Sequence, residues 1–187
     1  MNKSKIFLAL LGAFLIGVSL GVVFTVLKPQ FAENLFSNLK QLFGNKLDGL
    51  QDNFSLFKLI FLNNTRVAIL ATFGGVLFGV VPLGILFFNG FLVGIVVEYS
   101  YLQGENLIKI LLSIVPHGVV EIPAFAIAGL GGIEWYLEII KGEGTVGERF
   151  IKGFKIAMKM LGVAIFLLLI AAFIEAYVTP SLAGYSL

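Results

Sequence analysis

The chain has 187 residues, 58% of them hydrophobic and 13% charged, with a net charge of +2 and a mean hydropathy of +0.99. A soluble domain is nearer 45–50% apolar and about 25% charged, so the polar surface is too small for a water-soluble globule, and a cytosolic enzyme, a disordered chain and a nucleic-acid binder are excluded as leading readings. Cysteine is absent, which removes disulfides, thiolate metal ligands and cysteine nucleophiles together.

The remaining class is an integral membrane protein: one all-α domain over 1–187, a polytopic transmembrane helix bundle of about five spans with short broken helices and amphipathic interfacial helices. Crossing the hydrocarbon core takes about 20 mostly apolar residues. Positions 6–27 supply 22 with no charge, preceded by Lys3 and Lys5. The stretch ends Val26-Leu27-Lys28-Pro29 rather than in a small-x-small cleavage site, so it reads as an uncleaved first span. Ala9, Ala13, Gly17 and Gly21 recur every four residues along it. Small residues at that spacing allow close helix approach, either within the chain or across a homodimer.

Positions 30–62 predict two outer amphipathic helices. Phe31, Leu35, Leu39 and Leu42 form one apolar stripe, ended by Gly44. Leu47, Leu50, Phe54, Phe57 and Phe61 form the next. Such helices cap the bundle or present a surface to a protein partner. Asn63 or Asn64 is expected to cap a helix starting near Thr65. The apolar block beyond it is divided into a second span at 67–87 and a third at 90–102, with Pro82-Leu83-Gly84 and Asn89-Gly90 as candidate breaks. Gly75 with Gly79, and Gly90 with Gly94, repeat the small-residue spacing.

A fourth span covers 107–130, ended by Gly131-Gly132. The stretch 131–159 is read as cytoplasmic, with Trp135 and Tyr136 at the membrane boundary. Thr145-Val146-Gly147-Glu148 matches a capping box, which starts a helix in water near residue 146. Arg149, Lys152 and Lys159 share a face of that helix, read as solvated or lying among lipid headgroups. The fifth span occupies 160–178. Basic residues favour the cytoplasm, so Lys3 and Lys5 place the N-terminus inside, and five spans place the C-terminus outside the cell membrane.

Ionisable groups within spans cost several kcal/mol on insertion scales and each needs an explanation. His117 and Glu121, one helical turn apart, share a face of the fourth span. Pro116 and Pro123 flank them and free backbone carbonyls, and Gly118 lies between. Asn89, Glu98 and Glu175 are the candidate companions of an intramembrane polar site. Three readings stay open: a structural pair pinning helices together, a divalent metal site on His117 and Glu121, and a proton or solute pathway. The spacing lacks the second histidine of the zinc-protease helix motif.

The string from Pro116-His117-Gly118 through Glu121-Ile122-Pro123-Ala124, followed by Ile127-Ala128-Gly129, resembles the stage II sporulation protein M family. Asn63-Asn64, Asn89-Gly90 and Ile174-Glu175-Ala176-Tyr177-Val178-Thr179-Pro180 are similar to its other hallmarks, and the likeness covers roughly 55–180. The resemblance implies a multipass membrane protein. In spore formers, family members hold peptidoglycan-degrading partners at the septal membrane, while relatives occur in organisms without sporulation. It assigns no catalytic or binding role to His117 or Glu121.

Three functions are compatible with these features. The first is a membrane scaffold for cell-wall-remodelling partners, which would dock on the helices at 30–62 or the stretch 131–159. The second is a permease or channel for a small solute or ion. The third is a metal-dependent intramembrane enzyme. The leading expectation is a non-enzyme in contact with the lipid bilayer, with a homodimer as one assembly, no nucleic-acid partner, and no cofactor beyond a candidate divalent metal ion.

Overall fold

The computed structural model describes residues 2–47 and 52–184, and among them the fold is all α. Helix α1 spans Lys3–Leu27, α2 Pro29–Leu47, α3 Asn53–Gly75, α4 Val80–Leu102, α5 Leu107–Lys141 and α6 Val146–Phe173. A π-helical turn, Ile174–Val178, and a short α7, Thr179–Ala183, continue directly from α6. Five of these helices are long and apolar enough to cross a membrane.

Side chains cap the starts of α1, α3, α5 and α6, and those of α5 and α6 fall where the sequence expects a helix to begin. Thr145 Oγ1 accepts from Glu148 N–H at 3.3 Å, and Glu148 Oε2 accepts from Thr145 N–H at 2.8 Å, closing the capping box that starts α6. Asn2 and Asn106 cap α1 and α5 by accepting from the backbone two residues on. Asp52 Oδ1 caps α3, accepting from Ser55 N–H at 2.7 Å. That bond holds the Asp52 carboxyl below its ordinary range.

Several expected boundaries move. The break between the second and third spans falls at 76–79, not at Pro82-Leu83-Gly84 or Asn89-Gly90. Phe78 and Gly79 both take left-handed backbone there, at φ 55° and 73°. Pro82 is the third residue of α4, where its missing N–H has no intrahelical partner to lose. Asn63 and Asn64 lie inside α3 rather than capping it, because α3 starts at Asn53 and is itself a membrane-length helix. Of the two outer helices expected over 30–62, only α2 is separate from a span. It runs through Gly44 to Leu47, and Leu50 lies outside the described residues. At the other end, α5 continues through Gly131-Gly132 to Lys141. At 1.5 Å per residue its 35 residues reach about 52 Å, longer than the roughly 30 Å hydrocarbon core.

Glycines set the helix crossings. Gly17 and Gly21 of α1 press on the Phe87 and Phe91 carbonyls of α4, and Gly90 and Gly94 return the contact on Phe14 and Val18. Gly17 and Gly21, on the small-residue face of α1, are therefore covered within the chain by α4, while Ala9, at the far end of that face, is exposed. Gly75 meets Gly132 where α3 crosses α5. Beside this crossing Thr72 Oγ1 donates to the Ala128 carbonyl at 3.0 Å, fully buried. Phe125, Leu86, Leu10 and Leu168 fill the surrounding core.

Lys3 Nζ pairs with Glu134 at 3.2 Å, so the N-terminus and the second half of α5 share one end of the bundle. Trp135, expected at the membrane boundary, turns inward at that end. It is buried, with ring contacts to Phe73, Phe150 and Phe154, while Tyr136 meets Phe78. Lys152 Nζ pairs with Glu138 at 2.7 Å, which joins α6 to α5 and removes Lys152 from a purely solvated face.

Candidate functional site

Away from the Lys3 end, the bundle opens into a chamber of about 490 Å³. Phe14 of α1, Asn89 and Val93 of α4, and Leu56, Leu59, Ile60, Asn63 and Asn64 of α3 form three walls. The last wall is Ile114, His117, Gly118, Glu121 and Ile122 of α5, with Glu175 of the π turn.

Helical periodicity explains each placement. On α3, Leu56, Ile60, Asn63, Asn64, Ala68, Ala71, Thr72 and Gly75 recur mostly three or four residues apart and share a face. Its first half lines the chamber with amides and aliphatics, and its second half, all small, packs against α5. On α5, His117 and Glu121 face the chamber one turn apart, while Val119 points outward, 64% exposed. Immediately beyond, Ala124, Phe125, Ala126 and Ala128 are essentially inaccessible. The chamber therefore ends against a sealed layer and does not continue toward the Lys3 end as an open pore.

His117, Glu121 and Glu175 each offer a ligand atom, and these atoms lie within 4.8 Å of one another. The π turn carries Glu175 to this point. A π turn inserts one residue into an α-helix and rotates the residues beyond it, a distortion concentrated at functional sites. Thr179 Oγ1, on α7, lies 3.4 Å from His117 Nδ1. Asn89 Nδ2 donates to its own helix at Ile85 O, 2.8 Å away, and Asn63 Nδ2 donates to Asn64 Oδ1 at 3.5 Å. No lysine or arginine lines the chamber among the described residues.

The candidate set thus divides. His117, Glu121, Asn89 and Glu175 converge, and Glu98 does not line the chamber. Glu98 is five residues past Val93, about 140° around α4, and so points away from the wall that Asn89 and Val93 build. Asn63 and Asn64, read from the sequence as caps, are wall residues, and their i+3/i+4 register with Leu56, Ile60 and Ala68 is the signal that could have placed them. Thr179 lies in the string that carries the family likeness, but nothing in the sequence pairs it with His117, which it reaches from α7, beyond the π turn. Pro116 and Pro123 sit within a continuous α5, where they deprive the Leu112 and Val119 carbonyls of their helical donors. Gly118 lines the chamber, and a Cβ there would meet open space.

Comparison with known proteins places these residues within one family. The family model described as "Stage II sporulation protein M" matches residues 10–180. A relative in Methanocaldococcus jannaschii, "Uncharacterized protein MJ0793", is 36% identical over 148 residues, covering 76% of this chain and 80% of its own length. No solved structure matches.

Proposed function

This chain belongs to the stage II sporulation protein M family, and we propose that within it the protein is a permease-type membrane protein that takes up a small solute or ion in its intramembrane chamber. One observation carries this reading. Two carboxylates, an imidazole and three asparagine amides converge on a cavity of about 490 Å³ inside a bundle of membrane-length helices. Ionisable groups are expelled from the hydrocarbon unless paired or wet, and a polar cavity of this size accommodates both water and a small ligand. The sealed layer at Phe125 and Ala128 makes the chamber a one-ended binding station. Passage would then require α3 and α5 to shift at their glycine crossing. The reading includes a cell-membrane location with the N-terminus and the 142–145 turn in the cytoplasm, the chamber in the outer half, and no enzymatic step.

The absence of native cysteine makes the test direct, since any introduced thiol is the only one. Ile114→Cys, in the chamber wall, should react with a membrane-impermeant charged thiol reagent in intact cells, and Leu168→Cys, fully buried, should not. An Ile114→Cys that reacts only after denaturation would sink the chamber reading.

A second reading, the scaffold, draws on α2. Ala32 is buried, Phe36 packs on Tyr99 and Phe31 on Phe24, while Glu33 and Asn34 face outward from the bundle. A protein partner would dock on that outward face. Crosslinking in native membranes and capture with wild type and Glu33→Lys distinguishes the cases, since unchanged partners in the variant count against α2 as the docking face.

A further inference from the structure

We infer that the chamber holds one divalent first-row transition-metal cation, of the zinc or manganese class, liganded by His117, Glu121 and Glu175. The inference rests on the chamber reading above and names its ligand. Three independent observations support it.

The first is donor chemistry. One imidazole and two carboxylates match the mixed nitrogen–oxygen sets that bind these ions. Calcium and magnesium instead favour all-oxygen shells. Three protein ligands leave a fourth position facing the cavity, the arrangement of a site that exchanges its ion or binds a further group.

The second is charge. Glu121 and Glu175 are half-buried at the chamber wall, and neither has a hydrogen-bond donor or a basic partner among the described residues. Two ionised carboxylates carry −2 into a low-dielectric region, which one divalent cation neutralises.

The third is geometry around the histidine. With Thr179 Oγ1 accepting from Nδ1–H, the Nε2 lone pair is left for the metal, the usual outer contact that orients a ligand imidazole. Ligand atoms about 2.1 Å from a tetrahedral ion stand roughly 3.4 Å apart. The observed separations, at most 4.8 Å, exceed that by no more than about 1.4 Å, within reach of the glutamate side-chain torsions. Asn89, Asn63 and Asn64 remain to hydrogen-bond the exchanging water or ligand.

The test uses the full chain in lipid nanodiscs, stripped with chelator and titrated with Mn²⁺ or Zn²⁺. Elemental analysis should find about one bound ion per chain, retained against excess Mg²⁺ and Ca²⁺. Glu121→Gln and Glu175→Gln, which keep shape, should each weaken binding by at least about tenfold. Mn²⁺ should also slow thiol labelling of Ile114→Cys. Substoichiometric metal in the wild type, or unchanged affinity in both glutamine variants, overturns the inference. Labelling that proceeds at the same rate with and without Mn²⁺ overturns the metal while leaving the chamber standing. Absence of labelling removes the chamber itself.

Discussion

Glu121 and Glu175 reach each other from separate helices, their ligand oxygens within 4.8 Å, with no lysine or arginine lining the chamber they share among the described residues. Two carboxylates so close in an apolar bundle repel when both are ionised, and relieving that repulsion requires one of them to take up a proton. Glu121→Gln or Glu175→Gln supplies an amide N–H to the remaining carboxylate. In metal-stripped protein each variant should therefore raise the unfolding midpoint, by the equivalent of about 1–3 kcal/mol, while weakening ligand binding. Thermal unfolding in the presence of chelator measures this, and a lowered midpoint in both variants would contradict it.

The α1–α4 seam tolerates no side chain at its glycines. A Cβ at Gly90 would overlap the Phe14 carbonyl, whereas one at Gly84 or Gly12 meets nothing within 4 Å. Gly90→Val is expected to cost at least about 1–3 kcal/mol, the range for overpacking against a backbone that cannot yield. Gly84→Ala should stay within about 0.5 kcal/mol. Denaturation of the purified proteins in one detergent separates the two, and equal stability would refute the seam.

Thr72 Oγ1 donates across the α3–α5 crossing to Ala128 O. Thr72→Val preserves shape and removes the donor, with an expected loss between about 0.6 kcal/mol, an average for interhelical bonds in a membrane protein, and about 1.7 kcal/mol, the largest seen there. Thr72→Ser should retain most of the bond. The same layer seals the chamber, so Thr72→Val should also speed thiol labelling at Ala71→Cys in the double variant, relative to Ala71→Cys alone.

Asp52, outside the spans, caps α3 through Ser55 N–H, and its carboxyl titrates below its ordinary range. A depressed folded-state pKa means the cap's contribution is complete above the unfolded pKa and is lost as pH falls through the folded one. Asn caps as well as Asp and does not titrate there. Asp52→Asn should therefore match wild type near neutral pH and be the more stable of the two in acid. Unfolding midpoints across pH test this, and parallel curves would exclude the cap as the titrating element.

Helix existence was legible because five apolar runs of bilayer length have no other stable form in this composition. Helix starts were legible at Asn106 and at the Thr145-Glu148 box, whereas the Asp52 cap of α3 was missed. Boundaries were misread where glycine, proline or asparagine had a tertiary use. Gly90 sits mid-helix because Phe14 needs the space and Gly132 because Thr72 and Gly75 do, while Pro82, in the first turn of α4, packs on Gly129 of α5. The better signal for the break was Gly74-Gly75 and Gly79 on either side of Leu77-Phe78. Asn63-Asn64 looked like caps because capping is local chemistry, and their register with Leu56, Ile60 and Ala68 marks a wall only once α3 is known to begin at Asn53.

The sequence alone determined the solvent, the number of long helices and the pairing of His117 with Glu121, since hydropathy and a 3.6-residue period act along the chain. Only the tertiary structure chose Glu175 over Glu98, brought Thr179 to the histidine and assigned the first-span glycines to α4. Those outcomes depend on rotations about helix axes, on a π turn inserted near the chain's end and on which helix lies beside which. Such relations arise between segments distant in sequence, where local propensity carries no information.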